Sequence, residues 1–109
     1  MLISSIWVRF TFDGFHRWKD APDEVAFLRD RHRHLFHVRV EWPVSHAERE
    51  REFFIEQRAA QAAVERLRQE PGSVEWSCET WSIRIMEATG ACRVEVSEDG
   101  ENGATVCSQ

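Results

Sequence analysis

Residues 31–42 read Arg31-His32-Arg33-His34-Leu35-Phe36-His37-Val38-Arg39-Val40-Glu41-Trp42. His32, His34, Phe36, Val38, Val40 and Trp42 fall on one side of a two-residue repeat, and Arg33, Leu35, His37, Arg39 and Glu41 fall on the other. Side chains alternate across a strand, so the pattern predicts a β-strand whose apolar face opens on two imidazoles and which Pro43 ends. The same period runs from Ile6 to His16, with Ile6, Val8, Phe10, Phe12, Gly14 and His16 alternating with Trp7, Arg9, Thr11 and Asp13. Antiparallel pairing sets the end of the first strand beside the start of the second, and His16 then joins His32 and His34 at one end of one sheet face.

Three neutral imidazoles supply the minimum protein set for an open tetrahedral zinc site, with a fourth position left for water or substrate. The competing reading is three polar residues at a frayed sheet end, since histidine is often partly buried without a metal. Convergence of all three on one face brings the metal reading level with that alternative, and the residues by themselves leave both open. His37 belongs to the opposite face and His46 to a polar turn, so both are expected to be solvated or structural.

Beyond Trp42 the period changes. Ala47 to Gln69 is rich in Glu, Arg, Gln and Ala, with Phe53, Ala60, Val64 and Leu67 at helical spacing, which predicts a long helix, with room for a short strand near Glu52 to Phe54. Pro71 and Gly72 break it, and Ser77 is placed to cap a shorter helix through Trp81, Ile85 and Met86 towards Gly90. From Cys92 the chain alternates again, with Val94, Val96 and Glu98 on one face, and the tail from Asp99 starts as a turn or loop.

The 109 residues fit one domain, too small to bury more than a modest core, so assembly with further copies is expected. With 14 basic and 19 acidic residues the net charge is −5, which disfavours a nucleic-acid partner. Cys78, Cys92 and Cys107 form no CxxC pair and accompany no recognisable signal peptide, which points to a reducing cytoplasm rather than a disulfide framework. No apolar run approaches the roughly 20 residues that span a bilayer, so no membrane partner is expected.

At the histidines the chain resembles the 6-pyruvoyl- and 6-carboxytetrahydropterin synthases. Their Phe-x-x-x-His is matched by Phe12 to His16, and their His-Gly-His with an aromatic and alternating valines is matched by His32-Arg33-His34-Leu35-Phe36-His37-Val38. An acidic residue then Phe opens their long helix, as Glu52-Phe53 does here. Trp76-Ser77-Cys78-Glu79 stands at the start of their second helix, and Val94-Glu95-Val96-Ser97-Glu98 stands for their closing Val-x-Val-x-Glu. The resemblance implies an α+β tunnelling fold, a four-stranded antiparallel sheet with two helices on one face. It also implies a zinc-containing hexamer built as a dimer of trimers, with sites between subunits. In such proteins the terminal glutamate, here Glu98, accepts hydrogen bonds from a pterin ring. The start of the second helix, here Ser77, Cys78 and Glu79, adds contacts, although Ser77 and Glu79 read equally well as a helix cap and a first-turn acid.

Two departures stand out. The family's catalytic cysteine position is Leu28, and its Leu-Asp-His falls at Leu67-Arg68-Gln69. Asp30, which shares parity with His32, and Cys78 are the candidates left for proton transfer. The resemblance thus leaves three functions open: a zinc-dependent synthase-like enzyme on dihydroneopterin triphosphate or a related reduced pterin or purine; a zinc-containing binding protein without turnover; and a structural oligomer stapled by zinc.

Overall fold

A computed structural model describes residues 2–108. Four antiparallel strands lie in sequence order: β1 (Ser4–His16), β2 (His32–Val44), β3 (Arg93–Glu98) and β4 (Asn102–Cys107). Two helices, α1 (Phe53–Arg68) and α2 (Cys78–Thr89), connect β2 to β3 and pack on one face, as the α+β expectation has it. Among the described residues no helix is long and apolar enough to cross a membrane.

The even-numbered residues of β1 and β2 build that face. Val8, Phe12, Phe36, Val38, Val40 and Trp42 are buried against Ala60, Val64 and Leu67 of α1 and Trp81 and Ile85 of α2, with Val94 and Val96 of β3 completing the core. Trp42 satisfies its indole by donating from Nε1 to the Thr89 carbonyl at 3.0 Å, which removes the penalty of burying that polar atom. Phe12 and Phe36 stack at 4.9 Å, and Trp81 closes on Phe12 at 5.2 Å. Gly14 admits the Phe36 ring, because a Cβ there would stand 2.8 Å from Phe36 Cε2.

The opposite face is a lattice of charge. Arg39 bonds Glu41 at 2.6 Å and Glu95 at 3.3 Å, Ser5 donates to Glu41 at 2.6 Å, and the Arg39 guanidinium lies 4.8 Å over the Trp7 ring. A sheet face that carries paired ions stays wetted, which leaves the helical face to supply the core.

Several local expectations are corrected. β2 runs through Pro43 to Val44. Leu35 and Glu41 turn their carbonyls to the β3 side, where Asp99 and Cys92 N–H groups meet them, so the odd-numbered Pro43 aims its missing donor the same way. β3 has already ended there, its last pair being Glu41 with Arg93, and no ladder bond is lost. The long helix starts at Phe53 rather than Ala47: Arg49 takes a left-handed φ of 53°, and the Glu50 carboxylate accepts from both the Ser45 N–H and hydroxyl, holding the segment as a loop. The short strand near Glu52 does not form, because Glu52 is the N-cap and accepts from Phe54 and Ile55 N–H. Phe53, expected on the packed stripe, is exposed at the helix start beside Ile6 and Val8 of the β1 edge. Residues 23–29 form a 3-10 stretch that the sequence pattern did not announce. The turn expected at Asp99 forms, and beyond it the chain continues as β4, the fourth strand that the resemblance implies.

The shorter helix behaves as expected, with Ser77 Oγ accepting from Thr80 N–H at its start and Gly90 closing it at φ 70°. Its two isoleucines separate packing from propensity. Ile85 is fully buried and Ile83 is 46% exposed. Ile85→Ala should cost about 2–5 kcal/mol in denaturant unfolding and Ile83→Ala about 0.5 kcal/mol or less; equal losses would contradict the packing described.

Candidate metal centre

The β1–β2 register sets His16 opposite His32 and Gly14 opposite His34. A period of two puts His32 and His34 on one face, and the cross-strand pairing delivers His16 to the same spot. Ring centroids lie 4.5 Å apart for His16 and His32, 5.0 Å for His16 and His34, and 4.7 Å for His32 and His34. One ligating atom from each lies within 4.8 Å of the other two. Phe36 forms the floor, its ring edge-on to His16 at 5.5 Å and His34 at 6.0 Å.

The outward nitrogens of His32 and His34 are held. His32 Nδ1 donates to the Asp30 carbonyl at 2.8 Å, and His34 Nδ1 lies 2.7 Å from Asp99 Oδ2. The inward Nε2 atoms of all three are buried and have no hydrogen-bond partner. Buried polar atoms are nearly always paired, so three orphans aimed at one point fit a metal's lone-pair donors. Burial, foremost, pushes the His16 imidazole below its ordinary value, with His32 and His34 adding to the effect and the Glu98 carboxylate opposing it. Near neutral pH His16 is therefore unprotonated, the form a metal needs.

Glu98, which pairs with Phe36 across β2 and β3, brings a carboxylate to the cluster. Its Oε1 lies 3.3 Å from His16 Nε2 and its Oε2 3.4 Å from His34 Nε2, without a hydrogen bond to either. Cys78 Sγ approaches Oε1 at 3.9 Å. Burial, then the charge of Glu98, pushes the Cys78 thiol up to about 12, so it is a protonated donor rather than a thiolate near neutrality.

The other sequence candidates are placed less centrally. Ser77 serves as the α2 cap, and Glu79 is exposed in the first turn of that helix. Asp30 is exposed and reaches the cluster through its backbone carbonyl. Leu28, in the 3-10 stretch, accepts at its carbonyl from Trp18 N–H. Leu67 is buried in the core and Arg68 pairs with Glu65 at 2.7 Å. Sequence reasoning passed over Asp99, although Asp-Gly at 99–100 is a strong hairpin-turn signal. A groove of about 720 Å³ lies on the charged face between Arg9, His37, Arg39 and Glu101 and does not include the histidine triad.

No protein-family profile matches the sequence, and no curated protein does. Among solved structures the chain is similar to Caenorhabditis elegans 6-pyruvoyl tetrahydropterin synthase, at 12% identity and a TM-score of 0.75. The alignment covers 100% of this chain and 98% of that one. At that identity the likeness establishes the fold, a tetrahydropterin-synthase-like arrangement of sheet and helices.

Reactivity of the cysteines tests the electrostatics of the cluster. Cys78 is buried and Cys107 exposed. Iodoacetamide near pH 8 should alkylate Cys107 in the folded protein and reach Cys78 only after denaturation, as read by peptide mass spectrometry. Labelling of Cys78 at a rate like that of Cys107 would contradict the raised pKa.

Proposed function

We propose that this chain is one tetrahydropterin-synthase-like domain spanning residues 1–109, with a zinc centre on His16, His32 and His34 and a ligand pocket for a reduced pterin or purine. The observation that carries the reading is the set of three buried, unpartnered Nε2 atoms beside the Glu98 carboxylate. Bound zinc would supply a Lewis acid able to polarise and acidify hydroxyl groups on the ligand. Glu98 is the ring acceptor: a pterin or guanine edge offers adjacent ring N–H and amino donors, which one carboxylate can accept together. A molecule held so would lie against the histidine cluster, and Cys78 would offer its S–H to the same carboxylate. Ser77 and Glu79, at the start of α2, would add the further ligand contacts that the resemblance implies.

In this reading the protein works in the cytoplasm as a homohexamer, a dimer of trimers. The outer edges of β1 and β4 would pair between copies, which removes two unpaired strand edges. Light scattering should then give a multiple of three chains, and a monomer at micromolar concentration would remove the assembly.

The acid and base inventory favours binding over fast synthase chemistry. Leu28 cannot ionise, Arg68 and Gln69 stand where the family has Asp and His, and Cys78 stays protonated. Loss of general acid and base groups typically costs about 10²–10⁴ each in rate. Turnover of dihydroneopterin triphosphate should be very slow or absent, and robust product formation in a chromatographic assay would reverse this second reading.

Elemental analysis of protein made without chelators should find about one zinc per chain, with His34→Ala reducing it sharply. Unchanged metal in the mutant would remove His34 from the site, and a metal-free wild type would remove the centre. Calorimetric titration with a panel of pterins and guanine nucleotides addresses Glu98. Glu98→Gln should weaken the binding member at least about tenfold while the zinc stays, because a charged acceptor contributes roughly 1.5–3 kcal/mol. Equal binding by both proteins would reduce Glu98 to a strand-end carboxylate, and loss of zinc from the mutant would make it a metal donor instead.

A further inference from the structure

The geometry points to Asp99 as the positioning residue of the zinc centre: it fixes which His34 nitrogen faces the metal. The inference rests on the metal reading above and concerns a residue outside the histidine triad.

His34 stands between two carboxylates. Asp99 Oδ2 lies 2.7 Å from Nδ1, whereas Glu98 Oε2 lies 3.4 Å from Nε2 and makes no hydrogen bond to it. A neutral imidazole carries one N–H, and the shorter charge-assisted bond claims it. The proton therefore resides on Nδ1, and Nε2 presents its lone pair to the centre of the cluster. Without Asp99 the proton could pass to Nε2, towards Glu98, and mask the donor.

The carboxylate can hold this post because its own orientation is fixed. Asp99 N–H donates to the Leu35 carbonyl at 2.8 Å, and Leu35 N–H donates back to Asp99 Oδ1 at 2.9 Å. One oxygen is thus committed to the β2 backbone and the other is left for His34. Asp99 and Gly100 have φ of 56° and 75°, and Glu101 N–H closes on the Glu98 carbonyl at 3.1 Å, which makes residues 98–101 a tight turn of the I′ kind. The left-handed backbone at Asp99 is what swings its side chain onto β2, a conformation that Asp and Asn tolerate better than most residues. Outer partners of this type commonly change metal affinity 10–100-fold when removed.

Zinc affinity of the full chain, measured by competition with a chelating dye, tests the proposal. Asp99→Ala should bind about 10–100-fold more weakly than wild type. Asp99→Asn keeps the turn conformation and a carbonyl acceptor without the charge, and should fall between the two. Glu101→Ala, an exposed change in the same turn, should bind as wild type does. Long-range proton–nitrogen spectra of the metal-free proteins read the tautomer directly: His34 should carry its proton on Nδ1 in wild type and populate both forms in Asp99→Ala. Should the alanine variant fail to fold, Asp99→Asn carries the affinity test. Zinc affinities of the folded variants within about twofold of wild type, or an unchanged His34 tautomer, would overturn the role of Asp99 while leaving the triad standing. Wild type that binds no zinc would overturn the metal centre and this inference with it.

Discussion

The pairing of β1 with β2 sets His16 across from His32 and Gly14 across from His34, and it tolerates no slip. Moving one strand by a single residue would exchange the two faces, sending the histidines of that strand into the charge lattice and Arg and Glu into the core. The buried row from Val8 to Trp42 is what forbids this, since every apolar side chain that the shifted strand contributes to it would be exposed at once. The register that builds the core is therefore the same register that builds the metal cluster. Stability and site cannot be chosen separately.

Support for the imidazoles comes from both sides. Beneath them, Phe36 and its stacked partner Phe12 form an apolar floor that desolvates the rings and keeps His16 neutral. Beside them, the β3–β4 hairpin presents two consecutive carboxylates with different tasks: Glu98 continues the strand and faces the orphaned nitrogens, whereas Asp99 turns out of the strand and bonds the outer nitrogen of His34. Parity explains the first placement, and only the turn explains the second.

That contrast marks what was legible in the sequence. Period-two alternation identified three of the four strands and the three histidines, because each of those features repeats along the chain. The cap at Ser77 and the stop at Gly90 were equally readable, since local backbone chemistry decides them. What escaped was set by contacts between distant residues or by the backbone handedness of single residues. The start of α1 depends on the left-handed Arg49 and on Glu50 bonding Ser45, and composition alone carried the helix six residues too far. Pro43 looked like a strand end, and is not one, because the neighbouring strand finishes first. The fourth strand could have been found from Asp99-Gly100, but its sequence, Asn-Gly-Ala-Thr-Val-Cys, has too weak an alternation to announce itself.

Gly14 carries a consequence for how this sequence can change over evolutionary time. With a Cβ at that position only 2.8 Å from the buried Phe36 ring, even alanine would collide with the floor on which His16 and His34 rest. Residues 14 and 36 are thus tied: descendants that enlarge the first must shrink or reshape the second, and an aromatic at 36 commits its lineage to glycine at 14. Drift at either position alone passes through a chain whose histidine floor is disturbed, so substitution there should occur in concert, with the two sites covarying while the exposed neighbours Asp13 and Phe15 are under no such steric tie to the floor.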